Sequence, residues 1–115
     1  MSSDHLDHPV VLAYNYTGKL MLLDYSNNPF KNYRIFKTKT AQLDSVIHAN
    51  PKKIELRLLR YAVQNNCPSF LKYNTHISND LELIKSLLSK ENEALQYYIK
   101  TILTQFKNER SRNSS

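Results

Sequence analysis

The chain has 115 residues, of which 41% are hydrophobic and 23% charged, which excludes a disordered or fibrous chain and fits one domain with one core. The chain has only one glycine, Gly18. Tight β-hairpin turns and phosphate-binding loops need glycine at positions of positive φ, so the sequence disfavours both. The scarcity of glycine predicts an all-helical domain. The lone Cys67 excludes an internal disulfide, so we expect packing alone to hold this domain together.

Charge and the lack of long apolar runs limit the classes of partner. The formal net charge of +6 suits phosphate groups, an anionic membrane surface or an acidic protein. No apolar run reaches the roughly 18 residues that span a bilayer, and the N-terminus lacks the pattern of a signal peptide. We therefore expect no membrane span. The sequence does not assign a location, although the chain as given suits the cytoplasm.

Two helices are predicted in the first half of the chain. Residues 1–8 form a flexible lead, and Pro9 suits the first position of a helix whose apolar residues recur every three or four positions as far as Tyr25. The sequence Ser26–Pro29 then breaks the helix and predicts a loop. A second helix covers Phe30–Ala49 and is basic at its start.

The third helix is predicted to be the central one. Asn50 and Pro51 combine a good N-cap with a proline at the first helical position, so they predict a helix that begins here and ends near Asn65. Apolar residues lie on two of its faces, which predicts that it is the most buried helix. Residues 65–75 then form an ordered loop that is rich in aromatic side chains.

Two further helices complete the predicted fold. Ser78 caps a fourth helix, and a fifth helix runs from about Glu93 to Lys107. Residues 108–115 have no apolar anchor and predict a disordered tail. The expected architecture is all-α: a single domain over residues 9–107, in which about five antiparallel helices form an orthogonal or repeat-like array.

Several segments carry resemblances to known proteins. The Asn50-Pro51 junction, which follows Leu43-Asp-Ser-Val-Ile, resembles the boundary between tetratricopeptide repeats. A wider resemblance covers residues 16–84 and is carried by that junction, by Ile54-Glu-Leu-Arg-Leu-Leu-Arg, by Gln64 and by Pro68-Ser-Phe-Leu-Lys-Tyr-Asn74. These segments resemble a family of small, uncharacterised all-helical proteins from Bacteroidetes-type bacteria. The resemblance implies a helical fold and export of some members, and it supplies no catalytic residues.

A polar stripe on the third helix supplies the candidate binding residues. Arg57, Arg60 and Gln64 share one face of this mostly apolar helix. Together with Tyr73 of the following loop they form a candidate anion or carboxylate site, because paired guanidinium groups bind planar anions through two hydrogen bonds each. In the alternative interpretation, which we favour, the arginines pair with acids of neighbouring helices or with carbonyl groups of the 65–75 loop.

No catalytic residue, metal site or cofactor is predicted. Residues 4–8 include two aspartates and two histidines, but a mobile terminus would lose entropy on forming a metal site, so we interpret this segment as a solvated lead-in. Cys67 with His48 or His76 lacks a third orienting group, and we interpret the thiol as structural.

A non-catalytic helical protein-interaction module is the leading functional hypothesis. It predicts a contiguous apolar patch on the first or fifth helix, covered by a protein partner or by a second copy in a homodimer. In the alternative hypothesis, basic residues of the second helix converge with Lys52 and Lys53 and bind an anion or nucleic acid. No sequence feature indicates the convergent titratable groups of an enzyme.

Overall fold

The computed structural model describes the backbone of residues 8–113 and the side chains of residues 8–105. Within these residues there are helices and no strands, which confirms the all-α class. The orthogonal or repeat-like arrangement stays a prediction. The elements in chain order are α1 (His8–Met21), α2 (Pro29–Ala49), α3 (Ile54–Asn66), a short 3-10 turn (Ser69–Leu71), α4 (Ile77–Leu88) and α5 (Glu93–Asn113).

Helix α3 lies at the centre of the fold and contacts all four other helices. Its two apolar faces belong to two separate clusters, as the sequence predicts. Leu56 and Val63 are buried in a cluster with residues of α1 and α2. Ile54, Leu58 and Tyr61 are buried in a second cluster with residues of α4 and α5. The expectation that the third helix is the central one is therefore confirmed.

Helix α1 ends at Met21 rather than at Tyr25, because hydrogen bonds from side chains hold residues 22–28 in a loop. The side-chain amide of Asn32 donates to the backbone carbonyls of Asp24, at 2.9 Å, and of Asn28, at 3.0 Å. Asn28 has a left-handed backbone with a φ of 53°, and its side chain accepts a hydrogen bond from a backbone N–H in the first turn of α2. Asn28 is thus the N-cap of α2.

The junction between α2 and α3 differs from the sequence prediction. Asn50 caps the end of α2 rather than the start of α3: its backbone N–H and its side-chain amide both donate to the carbonyl of Val46, at 3.1 and 3.0 Å. Pro51 lies in a turn, and α3 begins three residues later at Ile54. The carbonyl of Pro51 instead accepts a hydrogen bond from the side chain of Arg57.

The last helix is longer than predicted. The backbone of α5 is helical through Asn113, beyond the predicted end at Lys107. The disordered tail over residues 108–115 stays a prediction. These residues contain no glycine or proline that would stop a helix, and their Glu and Arg side chains favour its continuation. Residues 1–7 of the predicted lead and residues 114–115 lie outside the described part of the chain.

The position of α3 leads to a prediction for stability. Leu56→Ala removes a fully buried side chain from the contact of α3 with α1 and α2, and we expect it to lower the free energy of unfolding by about 3 kcal/mol. Leu22→Ala, at a side chain that is 85% exposed, is the matched control and should change it by less than about 0.5 kcal/mol. Urea denaturation measures both values, and an equal effect of the two changes would contradict the central position of α3.

Candidate functional site

The carboxylate of Asp80, in the first turn of α4, is fully buried and accepts four hydrogen bonds from α3. Arg57 Nη1 and Arg60 Nη2 donate to Asp80 Oδ1 at 2.9 and 2.8 Å. Arg60 Nε and Gln64 Nε2 donate to Asp80 Oδ2 at 2.8 and 3.0 Å. The donors lie at positions i, i+3 and i+7 of one helix and therefore share a face. We call this arrangement the ionic centre.

A second acid, Asp44 of α2, completes the ionic centre. Arg60 Nη1 donates to Asp44 Oδ1 at 3.0 Å, and the Tyr73 hydroxyl donates to the same oxygen at 2.7 Å. Burial alone would lower the pKa of Arg60, but the hydrogen bonds and negative charges of Asp80 and Asp44 outweigh it and raise the pKa. Two arginines thus face two aspartates, and their formal charges cancel.

The remaining contacts of the ionic centre bind the loops on either side of α3. Arg57 Nε donates to the carbonyl of Pro51 at 3.0 Å, and Arg57 Nη1 donates to Asn79 Oδ1 at 2.7 Å. Gln64 Oε1 accepts a hydrogen bond from the backbone N–H of His76 at 2.8 Å. These bonds fix the turn before α3 and the segment that leads into α4.

The structure brings all four candidate binding residues together, but their polar groups face one another and the two aspartates. Asp80 accepts bonds from both guanidinium groups, which is the place that an external carboxylate would take in the predicted anion site. The geometry matches one part of the alternative interpretation, in which the arginines pair with acids of neighbouring helices, whereas the carbonyl that Arg57 contacts belongs to Pro51 and not to the 65–75 loop. Tyr73, the fourth candidate, binds Asp44 from that loop.

Sequence reasoning missed both acids of the ionic centre. Neither Asp80 nor Asp44 is among the candidate site residues of the sequence analysis. One signal was present: Asp80 continues the inward stripe of Ile77 and Ile84 at spacings of three and four, so an acid occupies a core position. A buried acid of this kind requires a cationic partner on a neighbouring helix.

A second feature is an exposed apolar groove, which we call the aromatic groove. It has a volume of about 310 Å³ and is lined by Tyr25, Pro29, Phe30, Tyr33 and Phe70. The side chain of Phe30 is 85% exposed and that of Phe70 is 68% exposed, which is unusual for phenylalanine. The sequence analysis placed the apolar patch on the first or fifth helix, and it did not predict this groove.

Aromatic contacts join the groove to the ionic centre. Phe36 is buried beneath the groove. The centre of its ring lies 6.4 Å from the ring centre of Tyr25, 6.3 Å from that of Tyr33 and 5.8 Å from that of Tyr73. Tyr25 in turn packs edge-to-face on Phe70, at 6.1 Å between ring centres. Tyr73 therefore connects the two features, with its ring on Phe36 and its hydroxyl on Asp44.

Helices α1 and α5 also expose aromatic side chains, where the sequence analysis expected a patch. Tyr14 is 55% exposed, and Tyr97 and Tyr98 are 75% and 54% exposed. Partial burial raises the pKa of Tyr14, and the nearby Tyr98 and Glu55 raise it further. Tyr14 on α1 is thus within electrostatic range of Tyr98 on α5.

The other candidate chemical groups are placed as follows. Cys67 is half-buried, and burial raises the pKa of its thiol to about 11, which is opposite to the shift of an activated nucleophile. Among the residues that the structure describes, no three His, Cys, Asp or Glu side chains form a cluster that would bind a metal ion. Most of the Asp- and His-containing segment 4–8 lies outside those residues, and only its last member, His8, is described. Within the same part of the chain, every helix is too short or too polar to cross a bilayer.

Comparison with known proteins adds no further assignment. No protein-family model, curated protein or solved structure matches the chain. The resemblance to small helical proteins of Bacteroidetes-type bacteria thus stays a prediction, as does the resemblance of the Asn50-Pro51 junction to a repeat boundary.

The ionic centre predicts that one nearly isosteric substitution, of Asp80 by Asn, lowers the free energy of unfolding strongly. Asp80→Asn leaves two buried guanidinium groups without their shared carboxylate, and we expect a loss of about 3 kcal/mol in the free energy of unfolding. Asp44→Asn should cost about 1 kcal/mol, because that side chain is 37% exposed and water screens its charge. Glu82→Gln, at an exposed acid of α4, is the control for loss of one negative charge. Equal urea midpoints for the Asp80 and Glu82 variants would contradict this account.

Tyr73 predicts how stability depends on pH. Burial raises the pKa of its hydroxyl strongly, and the charge of Asp44 and the hydrogen bond to it raise the pKa further. The unfolded chain ionises this group near pH 10 and the folded chain does not, so its stabilising contribution is complete below about pH 10 and declines above it. We expect the free energy of unfolding of Tyr73→Phe to fall less steeply above pH 10, by about 1.4 kcal/mol per pH unit. Urea denaturation at several pH values measures this for the wild type and the variant. Parallel curves of the free energy of unfolding against pH would show that folding does not raise the pKa of the Tyr73 hydroxyl.

Proposed function

We propose that this protein is a non-catalytic helical interaction module whose aromatic groove binds a segment of a partner protein. The observation that carries the proposal is that two largely exposed phenylalanines, Phe30 and Phe70, line the same groove. Exposed aromatic rings in one concave site are typical of a binding surface, because a bound apolar side chain removes them from water. The volume of about 310 Å³ is at the lower end for ligand sites and suits one or two bulky side chains.

The groove is formed before any partner binds. Tyr25 comes from the loop after α1, Phe30 and Tyr33 from the start of α2, and Phe70 from the 3-10 turn. Buried Phe36 supports Tyr25 and Tyr33 from below. A site that is fixed in this way loses little conformational entropy when a partner binds, which favours affinity.

The lining residues favour binding over catalysis. The titratable groups that line the groove are two tyrosine hydroxyls, of Tyr25 and Tyr33. Burial raises the pKa of Tyr25 to about 12, so this hydroxyl is protonated at neutral pH and a poor general base. We therefore assign the groove no reaction.

Binding of nucleic acid through a basic face is the second candidate function. The exposed Lys31, Arg34 and Lys37 of α2 favour it, since cations on one helix can follow a phosphate backbone. Lys52 and Lys53 follow the opposite end of α2, which at about 1.5 Å per residue lies roughly 18 Å from Lys37 and roughly 27 Å from Lys31 along the helix. The two groups of cations therefore do not converge, which favours the interaction module.

Selection from a peptide display library tests the proposed function. The wild-type chain should enrich peptides with a bulky apolar residue, and these should bind with micromolar Kd in fluorescence polarisation. Phe30→Ser with Phe70→Ser should weaken binding at least about tenfold, because both rings contact the anchor. Tyr97→Ser is the matched control, since this exposed aromatic residue lies on α5 and outside the groove lining.

Two results would overturn the proposal. One is the absence of any peptide whose binding depends on Phe30 and Phe70. The other is a wild-type dimer in light scattering that the same two substitutions convert to a monomer, since this would assign the groove to a second copy of the chain.

A further inference from the structure

We infer that the partner segment is acidic: it carries Asp or Glu side chains next to the apolar residue that enters the aromatic groove. This inference rests on the proposed function and specifies the partner of the same site. Its basis is a set of cations beside the groove that have no acidic partner in the described part of the chain.

Two of these cations lie on the same flank of α2 as the groove residues. Arg34 is four positions after Phe30, and Lys37 is four positions after Tyr33, so each cation lies one turn from a lining ring. Lys37 Nζ lies 5.9 Å from the centre of the Tyr33 ring. Both cations are exposed, and neither forms an ion pair with a residue that the structure describes.

A third cation lies close in the sequence to a groove residue. Lys72 is exposed and comes two residues after Phe70, directly after the 3-10 turn. The acid of the loop that carries Tyr25 is Asp24, whose Oδ1 accepts hydrogen bonds from the backbone N–H and the hydroxyl of Ser26 at 3.0 and 2.6 Å. These bonds lower the pKa of Asp24, which therefore carries a negative charge, and the exposed cations Arg34 and Lys37 outnumber it beside the groove.

The two acids of the ionic centre do not reduce this positive charge. Asp44 and Asp80 belong to the ionic centre, where Arg57 and Arg60 already balance them. An apolar site flanked by exposed cations that form no ion pair in the described part of the chain is complementary to an acidic segment with one apolar anchor. A neutral or basic segment would make the apolar contact with the groove but would not attract the cations beside it.

The experiment uses the peptides whose binding depends on Phe30 and Phe70, each paired with a copy in which Asn and Gln replace Asp and Glu. We expect selection to enrich acidic residues, and the neutral copies to bind about tenfold more weakly at low salt. Raising the salt concentration should narrow that difference, because exposed charges are screened.

Two charge-reversal variants of the protein, one beside the groove and one on α4, provide a test and its matched control. Arg34→Glu with Lys37→Glu should weaken the acidic peptides about tenfold and leave the neutral copies nearly unchanged. Lys85→Glu with Lys90→Glu makes the same change in net charge at exposed positions in α4 and directly after it, and it should leave both sets unchanged.

The outcomes separate this inference from the proposed function. Groove-dependent peptides that bind equally well with and without their acids would overturn the inference and leave the function standing. An absence of groove-dependent peptides would overturn the function itself. A single-stranded oligonucleotide that displaces the peptides, and that also binds less to the Arg34 and Lys37 variant, would replace the acidic segment with nucleic acid.

Discussion

The buried carboxylate of Asp80 is the constraint on which the rest of the structure depends. Transferring a charge out of water costs several kcal/mol, and four hydrogen bonds from α3 offset that cost only when α3 and α4 have one particular register. Arg60 extends the same constraint to α2 through Asp44. Apolar packing alone tolerates small shifts between helices, whereas this set of hydrogen bonds does not. The ionic centre therefore fixes the relative positions of three helices.

The same constraint reaches the surface through one loop. Tyr73 and Gln64 hold the segment between α3 and α4, the first by its bond to Asp44 and the second by accepting the N–H of His76. The 3-10 turn that carries Phe70 lies in this segment. The ionic centre thus positions the turn that carries Phe70, one of the residues that line the aromatic groove.

The sequence predicts those parts of the molecule that depend on near neighbours in the chain. Spacings of three and four gave the five helices and the central place of α3, and the Ser26–Pro29 breaker gave the first loop. Asn50 was misassigned because an Asn-Pro pair fits the end of one helix as well as the start of the next. The ionic centre and the groove join residues that are far apart in the chain, such as Tyr25 with Phe70, and no local pattern reports such pairs.

The ionic centre also has a consequence for how the chain folds. The two apolar clusters share only α3, and apolar packing alone would let each of the two small cores melt separately. However, α3 packed on α1 and α2 without α4 would hold Arg57 and Arg60 in a poorly hydrated place without Asp80. Loss of either apolar cluster therefore destabilises the other cluster. We expect the two clusters to unfold together as one cooperative unit. Since the partners of Asp80 lie only 16 to 23 positions away in the chain, this unit can assemble quickly despite its buried charges.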